Sequence, residues 1–229
     1  MSGVRAAATA DRALVLAALR RETDVLVDRA LTVFLDIDFL DHDVLGGRLS
    51  GGHVVTYLAR QADAMADELL AATGRPVPPI DRDRRWEIDE GGNLRPGAVL
   101  IDDLQVSAER LESALAGVDD WSTLDEGPRE IPARRLLQVV VHHADLGRPW
   151  AAIPAEDAAI AAALLPEVLA AELAGFVLEP SGEETEPVVR SGDGGPTVIQ
   201  ASPRALLAWA TGRGEAGLSA SPLAERIWI

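Results

Sequence analysis

Apolar residues recur at helical spacing through the first two thirds of the chain. Between Asp11 and about Phe34 they follow the three-to-four-residue repeat of a long amphipathic helix. A second helix is predicted from a cap at Ser50 to an end at Gly74. Its apolar stripe consists of Val54, Leu58, Ala62, Met65 and Leu69.

Two more helices are predicted before residue 150. One runs from Pro96 to Leu115, and its core-facing set is Val99, Leu100, Leu104, Leu111 and Leu115. The other covers roughly Ala133–Leu146, after a loop over 119–132, and is closed by Gly147 and Pro149. Four helices of this kind bury their apolar faces most simply as a bundle.

The pattern changes after Pro149, where Trp150 and Pro154 mark a boundary. A helix over 156–174 is predicted to lead into three short strands at 176–179, 187–190 and 197–200, and a last helix covers 203–211. We therefore predict a mainly α protein with two parts. Residues 1–150 form a four-helix bundle, and residues 151–229 form a small α/β (α+β) domain.

The amino-acid composition favours a helical core and argues against several classes of function. Only 4% of the 229 residues are aromatic, so Ala, Leu and Val must fill the core, which favours close-packed helices. A net charge of −16 repels phosphate backbones and argues against nucleic acid. Because there is no cysteine, a thiol used in chemistry must come from outside the protein. No stretch reads as a signal peptide or membrane span, so we predict a cytoplasmic location.

The candidate chemistry lies on the second and fourth helices. Tyr57 lies one turn beyond His53, and His142 lies one turn beyond Gln138 with Asp145 close by. If these faces meet, they form a polar pocket between helices. A histidine in an apolar run is, however, more often a hydrogen-bonded core residue than a ligand. A further candidate, His42, lies between Asp41 and Asp43 in a polar turn, where such clusters are usually solvated.

Three stretches of the chain resemble a known family when taken together. They are Leu45–Gly47 running into Val54–Ala59, then Gln138–Gly147, and finally Ala205–Arg213. In order and spacing they are similar to signature stretches of the mycothiol-dependent maleylpyruvate isomerases. The resemblance implies a DinB-like four-helix bundle followed by a small α/β domain, with a thiol-dependent isomerase or transferase activity on a small organic acid and mycothiol as cofactor.

The resemblance also implies a divalent metal such as zinc, held by a histidine on the second helix and by a glutamate and a histidine on the fourth. The matching positions here are Tyr57, Gln138 and His142. A neutral amide and a protonated phenol bind a dication more weakly than the residues they replace, so we expect a weakened or lost metal site. His53, displaced by one turn, and Asp145 are the nearest substitutes. The neighbouring His143 points about 100° away from His142.

Two arginines complete the candidate site. Arg213 matches an arginine of the family's active site and could bind the carboxylate of a keto acid or of the thiol cofactor. It could equally cap the end of the last helix. Arg135, one turn before Gln138, could line the same cavity or lie at the surface.

Three functions remain open at this point. The first is thiol-dependent isomerase or transferase chemistry. The second is a metal-free enzyme with Tyr57 and His142 as an acid–base pair. The third is a non-catalytic protein that binds a small molecule or a protein partner. The oligomeric state is not predicted.

Overall fold

The computed structural model describes residues 11–34, 43–44, 49–78, 94–171, 173–182, 188–190 and 195–213. The candidate His42 and the stretch Leu45–Gly47 lie outside these residues.

The first four long helices form the predicted bundle. They are α1 (Arg12–Phe34), α2 (Gly51–Ala72), α3 (Gly97–Ala116) and α4 (Glu126–Asp145). Helix α1 packs against α3 and α4, and α2 packs against the same two helices, so α2 and α4 are neighbours. A short antiparallel ladder of β1 (Asp43–Val44) and β2 (Leu49–Ser50) precedes α2.

The ends of α2 follow from its sequence as predicted. Ser50 is the N-cap in an extended conformation. Gly74 follows the other end with a φ of 67°, in the left-handed region that side chains with a Cβ rarely adopt. The predicted stripe is buried along the whole helix, from Val54 to Leu69. The helical spacing of this stripe fixes where Tyr57 and Leu58 lie on α2.

The start of α4 was predicted wrongly. The helix begins at Glu126, seven residues before Ala133, and Pro132 lies inside it. Pro132 removes one backbone hydrogen bond, which usually ends a helix. Here Ile131 and Pro132 are both buried in the bundle, and their packing offsets the lost bond. The predicted loop is therefore limited to the residues before Glu126.

Two further expectations are corrected. Val99 is 46% exposed and does not face the core, because it lies about 100° from the buried stripe that starts at Leu100. The helix predicted over 156–174 ends early, at Val168. Pro166 lies in its last turn, and the chain must then reverse at Gly175, whose φ is 92°.

The second half contains the predicted small mixed sheet. Helix α5 (Ala155–Val168) is followed by β3 (Phe176–Pro180), β4 (Val188–Arg190), β5 (Thr197–Ala201) and α6 (Pro203–Ala210). The strand order is β3-β5-β4, with β3 parallel and β4 antiparallel to β5. One hydrophobic cluster runs from Val15 in α1 to Ala210 in α6. This shared core brings the end of α6 to the end of α4, while a domain boundary at residue 150 stays a prediction.

Candidate functional site

Tyr57 and His142 meet where α2 packs against α4. Their ring centroids are 5.5 Å apart with an interplanar angle of 68°, an edge-to-face arrangement. His142 is completely buried and Tyr57 is half-buried. Gln138, one turn before His142 on α4, is 4% exposed and is a hydrogen-bond partner of the Tyr57 side chain. The structure therefore brings these three candidate residues together.

Asp145 and Arg213 extend this group towards the second half of the chain. His142 Nδ1 donates to Asp145 Oδ2 at 2.6 Å. Arg213 binds the same carboxylate with two parallel hydrogen bonds, from Nε to Oδ1 at 2.8 Å and from Nη2 to Oδ2 at 2.7 Å. Its remaining Nη1 donates to the carbonyl of Thr211 at 2.9 Å. Arg213 thus holds Asp145, and Asp145 holds the imidazole.

The pKa values in this group keep Asp145 charged and His142 and Tyr57 neutral. Burial by itself would raise the pKa of Asp145, but hydrogen bonds from His142 and Arg213 lower it to about 2. Burial lowers the pKa of His142 despite the attraction of Asp145. Burial also raises the pKa of Tyr57, although Arg135 and the hydrogen bond with Gln138 act in the opposite direction. At neutral pH the site therefore holds a neutral imidazole, a neutral phenol and an ionised Asp145.

Arg135 lies deep in the bundle beside Gln138. It is 1% exposed, and its Nη1 donates to the backbone carbonyl of Leu58 at 2.9 Å and to Gln138 Oε1 at 3.2 Å. Burial lowers the pKa of Arg135 to about 10, so the guanidinium is still charged at neutral pH. The interior of the site therefore carries positive charge.

The other two described histidines have structural partners. His53 Nδ1 accepts from the backbone N–H of Ser50 at 3.1 Å and lies 2.8 Å from Ser50 Oγ, which caps the start of α2. His143 Nε2 lies 2.8 Å from Glu22 Oε2, and Arg148 Nη1 donates to the same oxygen at 2.6 Å. His143 thereby joins α4 to α1.

Sequence reasoning missed Glu22, which is 1% exposed. A signal for it exists, because Glu22 lies on the same helical stripe as the buried Leu19 and Leu26. An acidic residue at a core position must find a buried cation or donor. The neighbouring position of Asp145 was noted in the sequence, but its pairing with Arg213 depends on how α4 and α6 meet.

We expect the free energy of unfolding to fall when the pH drops below about 6.5. Burial lowers the pKa of both His142 and His143 in the folded protein. The unfolded chain then binds more protons than the folded one, so protonation favours unfolding. Urea denaturation on either side of this pH measures the effect. Equal or greater stability on the acidic side would contradict the neutral state of the two buried imidazoles.

Residues 50–147, from the cap of α2 to just beyond α4, match the family model of the mycothiol maleylpyruvate isomerase N-terminal domain. This part of the chain is therefore similar to that domain family. The crystal structure of the mycothiol-dependent maleylpyruvate isomerase has a similar fold, with a TM-score of 0.68 over 92% of this chain and 93% of that chain, at 21% identity. A histidine-to-alanine mutant of the mycothiol-dependent maleylpyruvate isomerase gives a TM-score of 0.67 over 89% and 90%, also at 21% identity. No curated protein matches the sequence.

At this level of identity, the likeness to the maleylpyruvate isomerase structures establishes the fold alone. It covers the bundle and the small mixed sheet together. The mainly α architecture with a DinB-like bundle is therefore confirmed. The roles of individual side chains in this chain have to be argued from their own chemistry.

The donor set at the maleylpyruvate isomerase metal positions does not suit a divalent cation. Gln138 Oε1 already accepts from the Arg135 guanidinium, so a metal bound there would lie beside a buried positive charge. Tyr57 keeps its proton because burial raises its pKa. Among the residues that the structure describes, no three His, Asp or Glu side chains are grouped so that they could hold a metal ion. His53 and Asp145 are committed to the partners given above.

Proposed function

We propose that the chain is an enzyme that transfers protons on a small organic substrate without a divalent metal. His142 would be the base, Tyr57 the hydrogen-bond donor, and Gln138 the residue that orients them. The observation that carries the proposal is the 2.6 Å hydrogen bond between His142 Nδ1 and Asp145, with Asp145 itself held by Arg213. A base oriented by a carboxylate is a recurrent catalytic arrangement.

Asp145 would determine which nitrogen of His142 is basic. The ionised carboxylate accepts a hydrogen bond, so Nδ1 carries the proton and Nε2 is the basic nitrogen. The lowered pKa of His142 keeps the ring neutral at neutral pH, which is the state a base needs. When the ring takes up a proton, the charge of Asp145 stabilises the imidazolium.

Tyr57 would complement this base from the facing helix. Its raised pKa keeps the hydroxyl protonated, so the group can donate a hydrogen bond to an oxygen that gains negative charge during the reaction. Arg135, whose charge acts on the phenol, would favour the same negative charge. The pair therefore supplies a base and a donor from two separate helices.

An external thiol such as mycothiol is the second part of the proposal. The two similar solved structures described above are named mycothiol-dependent, and this chain has no cysteine of its own. A bound thiol would supply a sulfur nucleophile that adds to an activated double bond. Rotation about the resulting single bond and elimination of the thiolate would then give the isomer and free the thiol. In this chain the neutral His142 would accept the thiol proton at Nε2, a task that the family metal would otherwise assist.

The net charge and the hydrophobicity of the chain bear on its substrate class and on its cellular location. None of the described helices combines the length and the apolar character needed to cross a membrane. With a net charge of −16, we propose a small-molecule substrate in place of nucleic acid and a cytoplasmic location. Arg213 would act by positioning Asp145, because its side-chain nitrogens donate to the Asp145 carboxylate and to the carbonyl of Thr211.

Turnover that survives metal removal is the expected result. The assay follows the isomerisation of maleylpyruvate with mycothiol before and after treatment with a chelator, and again after zinc is added back. We expect the same rate in all three samples. Tyr57→Phe keeps the ring but removes the donor, and should lower kcat by about 10- to 100-fold. A rate that vanishes with the chelator and returns with zinc would reject the metal-free proposal.

A further inference from the structure

Arg135 is a buried cation for which the described residues offer no carboxylate in ion-pair contact. Its Nη1 is bound by two neutral oxygens, and its Nη2 has no hydrogen-bond partner among the described residues. Asp63 attracts it electrostatically but is already paired with Arg60 and Arg110. An unpaired charge in the interior costs several kcal/mol. A residue of this kind calls for a reason other than stability.

A cavity between α1 and α3 has Arg135 of α4 among its lining residues, whereas Tyr57 and His142 are not among them. It has a volume of about 590 Å³. This volume is in the range of small-molecule sites. Leu19, Leu111 and Leu115 make part of its wall apolar. The bundle therefore has a ligand-sized space with Arg135 in its wall.

The acidic residues of the cavity restrict what it could bind. Asp24, Asp28 and Glu109 line it as well, and they would repel a ligand with several negative charges. Arg20, which also lines the cavity, is neutralised by Glu112 at 2.7 Å. Among the described residues that line the cavity, Arg135 is thus the cation left for a ligand. The cavity therefore suits a ligand with one carboxylate on an otherwise apolar body.

We propose that this cavity is a separate binding site for a small organic monocarboxylate, held by the Arg135 guanidinium. Two neutral acceptors hold Nη1, while the buried Nη2 has no hydrogen-bond partner among the described residues. The site does not depend on the acid–base chemistry proposed for His142. Occupancy would supply the counter-charge that the Arg135 guanidinium lacks.

The test compares the thermal unfolding of the full chain with three probes that share a six-carbon body. Hexanoate offers one carboxylate, 1-hexanol is uncharged, and adipate carries two carboxylates. We expect hexanoate to raise the Tm of the wild-type protein by several degrees, as mass action requires for a ligand of the folded state. The other two probes should give clearly smaller shifts. Equal shifts with hexanoate and 1-hexanol would overturn the proposal.

Two variants locate the effect. Arg135→Met removes the charge and should abolish the hexanoate shift, while the ligand-free protein should unfold about 3–10 °C higher because a buried unpaired charge is gone. Arg134→Met is the matched control on the same helix, since Arg134 is half-exposed and paired with Glu68, and it should keep the full hexanoate shift. A hexanoate shift retained by Arg135→Met would overturn the proposal. If Arg135→Met does not fold, the three-probe comparison on the wild-type protein decides alone. No turnover is measured, so a failed role for His142 leaves the result unaffected.

Discussion

Replacing Asp145 with Asn is expected to lower the free energy of unfolding by about 3–5 kcal/mol in urea denaturation. The Asp145 carboxylate accepts hydrogen bonds from His142 and from two nitrogens of Arg213. Its side chain and that of Arg213 are each only 5% exposed, so water cannot replace the lost charge. Asn would leave the guanidinium buried without a counter-charge at the contact between α4 and the end of α6.

The pKa of Asp145 gives an independent view of the same effect. Its lowering from 3.8 to about 2 in the folded state corresponds to about 2 kcal/mol of preference for the ionised form. This contribution is present above the unfolded pKa of 3.8 and is lost as the pH falls towards 2. The larger loss expected for Asn adds the cost of the uncompensated Arg213.

Asp103→Asn is the matched control. Asp103 binds two arginines, Arg60 at 2.5 Å and Arg95 at 2.7 Å, but its side chain is 22% exposed. Water screens these two ion pairs, so the expected loss in the free energy of unfolding is about 1 kcal/mol or less. Equal losses for the two variants would show that burial does not set the strength of the Asp145 interaction.

Replacing His142 with Asn is expected to reduce kcat/KM for thiol-dependent isomerisation by about 10²- to 10⁴-fold. The variant removes the base but keeps a polar side chain of similar size beside Asp145. Turnover of maleylpyruvate with mycothiol measures the effect on protein that is verified as folded. The loss should appear mainly in kcat, because the base acts on the reacting proton.

His143→Asn provides the comparison for this experiment. His143 follows His142 directly and is equally buried, but it binds Glu22 of α1. We expect this variant to unfold more easily while the folded protein keeps its turnover. If both variants lose activity to the same extent, His142 acts through the stability of α4 and the proposed base role is rejected.

The bundle could be read from the sequence because its signals are local. The apolar stripe from Val54 to Leu69 has the helical period. Ser50 caps the start of the helix, and Gly74 follows its end. The errors arose where packing outweighs a local rule. Pro132 is tolerated inside α4 because its surroundings are buried, and no pattern in the neighbouring residues encodes that compensation.

Some residues of the candidate site could likewise be predicted from the sequence, and others could not. Helical spacing placed Gln138 one turn before His142, and family resemblance placed Tyr57 opposite them, so these three could be named without coordinates. The Asp145–Arg213 pair could not, because 68 residues separate its partners and their contact depends on the shared core that joins α4 to α6. Local periodicity thus determined which residues face inward. Tertiary packing alone decided which charges meet there, because electrostatic pairing depends on distance and burial, and neither is encoded by neighbours in the chain.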